Sequence, residues 1–275
     1  MRASRSSVGA GWFAAAVAAF QFLTRLPVPV RVEYTETVFR RSAVFFPLVG
    51  FALGIVLSAA GWFLLRIVPA APAAAVLLCL WVALTGGLHL DGLMDTADGL
   101  LSHRSRERML EIMKDSRVGA MGVMACVLVL VTKGALLFSM MELSWSRSLW
   151  LIPLVMLWSR WMMAAAIAGW PYARPEQGLG ALFKGVTLRH AAAGAALSAL
   201  LTVGLWALWA GLQAPSASAA AMVASFVLPP VSAAVVGCGL AAFFHRKLGG
   251  LTGDTYGAIN ELTEAAQLFV IVVCL

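Results

Sequence analysis

Three aspartates, Asp91, Asp95 and Asp98, stand at i, i+4 and i+7 in the segment Gly86-Gly87-Leu88-His89-Leu90-Asp91-Gly92-Leu93-Met94-Asp95-Thr96-Ala97-Asp98-Gly99. On a helix this spacing puts the three carboxylates on one face, where they repel each other. At the end of an apolar stretch that repulsion is costly unless a cation neutralises it. Oxygen-only donors suit a hard cation such as Mg²⁺, which keeps coordination positions for substrate phosphates when a few carboxylates hold it. The plainer reading is a solvated acidic turn at a membrane edge. It fits poorly, because Asp is a weak helix former and here recurs with helical period. Asp91, Asp95 and Asp98 are the expected metal ligands and catalytic carboxylates, with His89 and His103 nearby as groups able to exchange a proton.

Two further clusters suit a phosphate-bearing substrate. The stretch after the aspartates carries Arg104, Arg106, Arg108, Lys114 and Arg117. Arginine forks phosphate oxygens and lysine adds a point charge. Arg106 and Arg108 read more simply as a topology signal, whereas Lys114-Asp115-Ser116-Arg117-Val118-Gly119 lies at the mouth of an apolar run and should meet the aspartates at the same depth. The second cluster is Gly249-Gly250-Leu251-Thr252-Gly253-Asp254-Thr255-Tyr256-Gly257-Ala258-Ile259-Asn260-Glu261. Its glycines let backbone amides approach a ligand, so Thr252 and Gly253 are candidate substrate contacts and Asp254 a candidate fourth metal ligand. Taken alone it is equally an ordinary turn. Arg25, within Phe22-Leu23-Thr24-Arg25-Leu26-Pro27, and the polar stretch 171–180 with Arg174 are either substrate contacts or an interfacial anchor and a plain loop.

These groups must be positioned by membrane helices. Of 275 residues, 61% are hydrophobic and 12% charged, against about a quarter charged in soluble domains. Apolar runs cover residues 43–65, 72–88, 118–141, 149–170, 191–212, 219–244 and 262–275. Most approach the ~20 residues that cross a bilayer, and the last is short. An all-α, polytopic membrane helix bundle of about seven transmembrane helices is predicted, preceded by an interfacial N-terminal helix and forming one domain over 1–275. Small residues inside the runs, such as Gly50 and Gly54, allow close helix packing. The net charge of +7 is not spread as a nucleic-acid-binding patch. Arg2, Arg5, Arg25, Arg31, Arg40 and Arg41, then the loops after the second, fourth and sixth runs, hold nearly all of it. The opposite loops hold only Arg66 and Arg147, so the rich side, with the carboxylates, is expected in the cytoplasm. Lys133 and Arg160 fall inside runs. Cys79, Cys126, Cys238 and Cys274 lie in apolar runs without ligand spacing and read as small hydrophobes.

At these residues the chain resembles the cobalamin synthase family, also called adenosylcobinamide-GDP ribazoletransferases. The likeness runs over nearly the whole chain, through Phe22-Leu23-Thr24-Arg25-Leu26-Pro27, Phe46-Pro47-Leu48-Val49-Gly50, the aspartate segment, Met113-Lys114-Asp115-Ser116-Arg117-Val118-Gly119-Ala120-Met121-Gly122 and the Gly-Asp segment at 250–258. The resemblance implies a Mg²⁺-dependent enzyme of the cell inner membrane that joins adenosylcobinamide-GDP to α-ribazole or α-ribazole 5′-phosphate and releases GMP. Self-association is left open. CDP-alcohol phosphotransferases are a rival: Asp95-Thr96-Ala97-Asp98-Gly99 mimics the start of their motif, but the expected Ala-Arg pair does not follow. A divalent-cation transporter is another. Transporters hold their polar groups near the midplane, however, and these clusters fall at span ends.

Overall fold

The computed structural model describes residues 11–148, 150–174, 182–212 and 219–274. Arg2, Arg5 and the 175–180 part of the polar stretch lie outside the described residues, as does the Arg147 side chain. The chain is helical: α1 (Trp12–Leu23), α2 (Glu36–Ser42), α3 (Phe46–Leu64), α4 (Ala70–Thr85), α5 (Leu88–Leu100), α6 (Arg106–Ile112), α7 (Ala120–Ser148), α8 (Ile152–Gly169), α9 (Leu188–Leu212), α10 (Ala219–Leu248) and α11 (Gly253–Cys274). Among the described residues six helices are long and apolar enough to cross a membrane, and α4 with α5 makes a seventh, broken candidate bent by 88°. The protein is a multi-pass membrane bundle.

Glycines set its closest contacts. A Cβ on Gly50 of α3 would lie 2.1 Å from the Met156 carbonyl oxygen of α8, and one on Gly54 would lie 2.3 Å from Pro153 Cα. The two helices therefore meet backbone to backbone along the Gly50/Gly54 face. Large apolar side chains point outward instead, among them Leu128 and Val131 on α7, Leu200 and Val203 on α9, and Val235 on α10. That arrangement suits lipid as the solvent. At the end away from the carboxylates, Arg66 lies 3.4 Å from the centre of the Trp62 ring, an amphipathic pair suited to a membrane edge.

Two details differ from expectation. At 16 residues, α4 is about 24 Å long and stops at Gly86 and Gly87, both left-handed (φ 63° and 70°). These glycines close the helix, their amides reaching Ala83 O and Val82 O, and turn the chain sharply into α5. The last span begins at Gly253, not near residue 262. Its polar residues Asn260, Glu261, Glu264 and Gln267 are all buried against neighbouring helices, so they do not interrupt the crossing. Helix α1 is too short to span. Its Ala14, Ala15, Ala18 and Ala19 face is buried in the protein against α2 and α3, while Trp12 and Phe13 are exposed.

Candidate active site

The carboxylate end is assembled from four chain-distant pieces. Helix α5 presents Asp91, exposed in its first turn, and Asp95 and Asp98, half-buried on the same side. Helix α11 crosses it so closely that a Cβ on Gly92 would come within 2.7 Å of the Asp254 carbonyl oxygen, and one on Gly257 within 2.9 Å of the His89 carbonyl oxygen. The helical glycines of both motifs thus make a contact that no side chain would allow. The expected Gly-rich loop is only half a loop, because Gly253 and Gly257 already belong to α11.

Thr252 starts α11 with a reciprocal cap. Its backbone N–H donates to Thr255 Oγ1 (2.8 Å), and the Thr255 N–H donates to Thr252 Oγ1 (3.2 Å), satisfying amides that a helix start leaves open. Just before it, the Leu251 N–H donates to Pro171 O (2.8 Å) and the Ala173 N–H to Leu251 O (2.7 Å). This strap carries Arg174 over the start of α11. There Arg174 Nη1 donates to Asp254 Oδ2 (3.1 Å) and Nη2 to the Leu110 carbonyl (2.9 Å).

Asp98 has a different environment from its helical neighbours. Its Oδ2 accepts the Gly119 N–H (2.7 Å) and its Oδ1 the Gly122 N–H (2.8 Å), so it caps α7. A Cβ at Gly119 or Gly122 would come within 2.4 or 2.5 Å of that carboxylate, which explains both glycines. Asp91 and Asp95 form no salt bridge among the described residues, and Asp95 feels the negative charges of Asp254, Asp91 and Asp98 together. No group of three or more His, Cys, Asp or Glu side chains is drawn together tightly enough to hold a metal ion among the described residues.

A cleft of about 130 Å³ opens at this junction, with His89, Asp91, Asp254 and Arg174 among its lining residues. His89 is buried, and neither ring nitrogen has a hydrogen-bond partner among the described residues. Gly253 lines the cleft too, and Thr252 adjoins it through its 3.3 Å contact to Asp254. The basic candidates stand elsewhere. Arg117 forks Asp115 at 3.0 and 2.7 Å with its side chain 88% exposed, and that fork holds the Asp115 carboxyl down at about 2. Lys114 and Arg104 are exposed outside the cleft lining, and Arg25 packs over Gly86 at the α4–α5 turn. Arg174, which the sequence offered only as part of a polar loop, is the arginine that reaches the cleft.

Below the cleft lies an ion cluster that sequence inspection left unassembled. Lys133 of α7 pairs with Glu261 (2.5 Å) and Glu264 of α11, and Arg160 of α8 pairs with Glu264. All four are buried. Glu261, the last residue of the Gly-Asp segment, belongs to this cluster. Lys133 and Arg160 inside apolar runs were the available signal, but their partners are more than a hundred residues away.

Fold and site together define a multi-pass helical membrane protein with an acidic and arginine-bearing cleft at one end of the bundle. The family model for cobalamin-5-phosphate synthase matches residues 15–272. The chain is 38% identical over 254 residues to an adenosylcobinamide-GDP ribazoletransferase of Geotalea daltonii, covering 92% of this chain and 95% of the relative. It is 41% identical over 253 residues to one of Desulfitobacterium hafniense, covering 90% and 91%. Against one of Roseiflexus sp. it is 38% identical over 258 residues, covering 94% and 89%. No solved structure matches. The chain belongs to the cobalamin-5-phosphate synthase family and is an enzyme of the transferase type those relatives' names describe.

The α5–α11 contact gives a direct test. Gly92→Ala must push α5 off the Asp254 backbone by a few tenths of an ångström or more, and small displacements at a reacting centre cost up to about a hundredfold in rate. Turnover of Gly92→Ala should fall by that order while detergent-extracted protein stays monodisperse. Wild-type turnover would show that the close approach is dispensable.

Proposed function

We propose that this chain joins adenosylcobinamide-GDP to α-ribazole, or to α-ribazole 5′-phosphate, and releases GMP. In this reading it works at the cytoplasmic face of a cell inner membrane, with Mg²⁺ as cofactor. The observation that carries the reading is the meeting of Asp91 of α5 with Asp254 and Arg174 at one cleft, in a chain whose relatives are named for this transfer. The basic segments gathered at the same end support the cytoplasmic orientation.

The ribose 3′-hydroxyl oxygen of the acceptor attacks the phosphorus attached to cobinamide. A new P–O bond forms, the P–O bond to the bridging oxygen breaks, and GMP leaves with that electron pair. The hydroxyl proton goes to a carboxylate of Asp91 or Asp95, or to His89. Arg174 offers its planar fork to the diphosphate and steadies the departing phosphate. Asp91 and Asp95 would hold a divalent cation, and Asp254, already paired with Arg174, would lend it part of its charge. An open donor set of this kind suits Mg²⁺, which is bound by one or two carboxylates plus substrate phosphates. When bound, the cation neutralises charge developing on the phosphoryl oxygens. Catalysis by the remaining residues is chiefly positioning and charge stabilisation.

Purified protein given adenosylcobinamide-GDP, α-ribazole and Mg²⁺ is expected to release GMP, and EDTA should stop it. Absence of GMP, release of CMP from a CDP-alcohol instead, or metal flux into proteoliposomes without nucleotide would each overturn the assignment.

A further inference from the structure

The cleft has two chemically unlike sets of lining residues. Besides Asp91, Asp254 and Arg174 its lining is aromatic and aliphatic, including Phe22, Phe46, Phe183, Met163 and Ile167. The three phenyl rings come from separate parts of the chain: the end of α1, the start of α3 and the turn before α9. Phe22 stacks on Phe46 with ring centres 6.3 Å apart and planes inclined by 22°. Phe183 stands 5.4 Å from Phe22 and 5.5 Å from Phe46. Phe46 and Phe183 are buried, and Phe22 is the member left partly exposed.

We infer that this aromatic lining seats the flat heteroaromatic base of the nucleoside acceptor, so that its ribose hydroxyl faces the carboxylates. The inference rests on the transfer reaction proposed above and adds which set of lining residues takes which substrate. A ring wall of this kind attracts a flat, weakly polar base by stacking and hydrophobic contact. It would serve guanine poorly, because phenyl rings offer no partners to that base's many donors and acceptors, and such groups are costly to bury unpaired. The placement also gives a purpose to the Phe22 and Phe46 segments, which the carboxylate chemistry does not use.

Binding of α-ribazole and of GMP to the full-length, detergent-solubilised protein, measured by titration calorimetry, tests this without requiring turnover. Phe22→Leu and Phe183→Leu keep most of the apolar volume but remove the ring, and they lie on different elements, so misfolding of one leaves the other informative. Each is expected to weaken α-ribazole by about tenfold, the order of one lost base–aromatic stack, with GMP affinity unchanged. The inference is overturned if wild type does not bind α-ribazole, if both variants bind it as wild type does, or if GMP is the ligand that weakens. If α-ribazole binds and weakens as expected but no GMP is ever released from adenosylcobinamide-GDP, the reaction assignment fails and the base seat stands.

Discussion

Asp95→Asn is expected to lower turnover by on the order of a thousandfold, the scale of losing one preorganised charged group at a phosphoryl-transfer centre. Asn keeps the shape of Asp, so the α5–α11 junction should remain intact. Only the charge is removed, and Asp95 is where the negative potentials of Asp254, Asp91 and Asp98 coincide. This repulsion gives the variant a second, opposite signature. Without divalent cation, Asp95→Asn should melt at a higher temperature than wild type, because a like-charge cluster has been relieved. With Mg²⁺ the wild type should gain stability by mass action and the variant should gain less. Thermal unfolding in EDTA and in Mg²⁺, beside the GMP assay, reads both effects. An active Asp95→Asn enzyme, or one stabilised by Mg²⁺ as strongly as wild type, would remove this residue from the proposed chemistry.

Glu264→Leu is expected to cost about 3–5 kcal/mol of stability, the usual penalty for stranding a buried charge. Two cations converge on Glu264: Lys133 from α7 and Arg160 from α8. Asn260 Nδ2 also donates to it at 3.2 Å. Removing the carboxylate leaves Arg160 with no anionic partner among the described residues and Lys133 with Glu261 alone. Replacing Lys133, Arg160, Glu261 and Glu264 together by apolar residues of similar volume should be far milder, since a complete buried ion cluster is often worth little net. Heat resistance of detergent-extracted protein separates the two. Equal stability of Glu264→Leu and wild type would show that the cluster does not hold these helices together. Glu264 lies on the helix whose first turn carries Asp254, so its loss should also loosen the cleft.

The class of protein and the helix that carries the three aspartates were legible from residues alone. Apolar runs of membrane length mark the spans because each must satisfy its backbone within one helix, a constraint local enough to read along the chain. The i, i+4, i+7 aspartates lie on one helix for the same local reason, and Gly50 and Gly54 declared a close packing face. What the linear reading misjudged were matters of pairing. Hydropathy placed the start of the last span near residue 262, since Glu261 looks costly until Lys133 is found beside it. The basic residues near the aspartates in sequence, Lys114 and Arg117, stand outside the cleft, and Arg174, 80 residues from Asp254, reaches it. Nor does any single segment reveal that Asp98 caps α7, or that Gly86 and Gly87 turn the chain by 88°. Periodicity and composition are properties of one segment, and they determined that this is a membrane bundle bearing an acidic helix. The partner of a buried charge is chosen by how distant helices pack, so only the tertiary structure decided which carboxylates line the cleft and which arginine meets them.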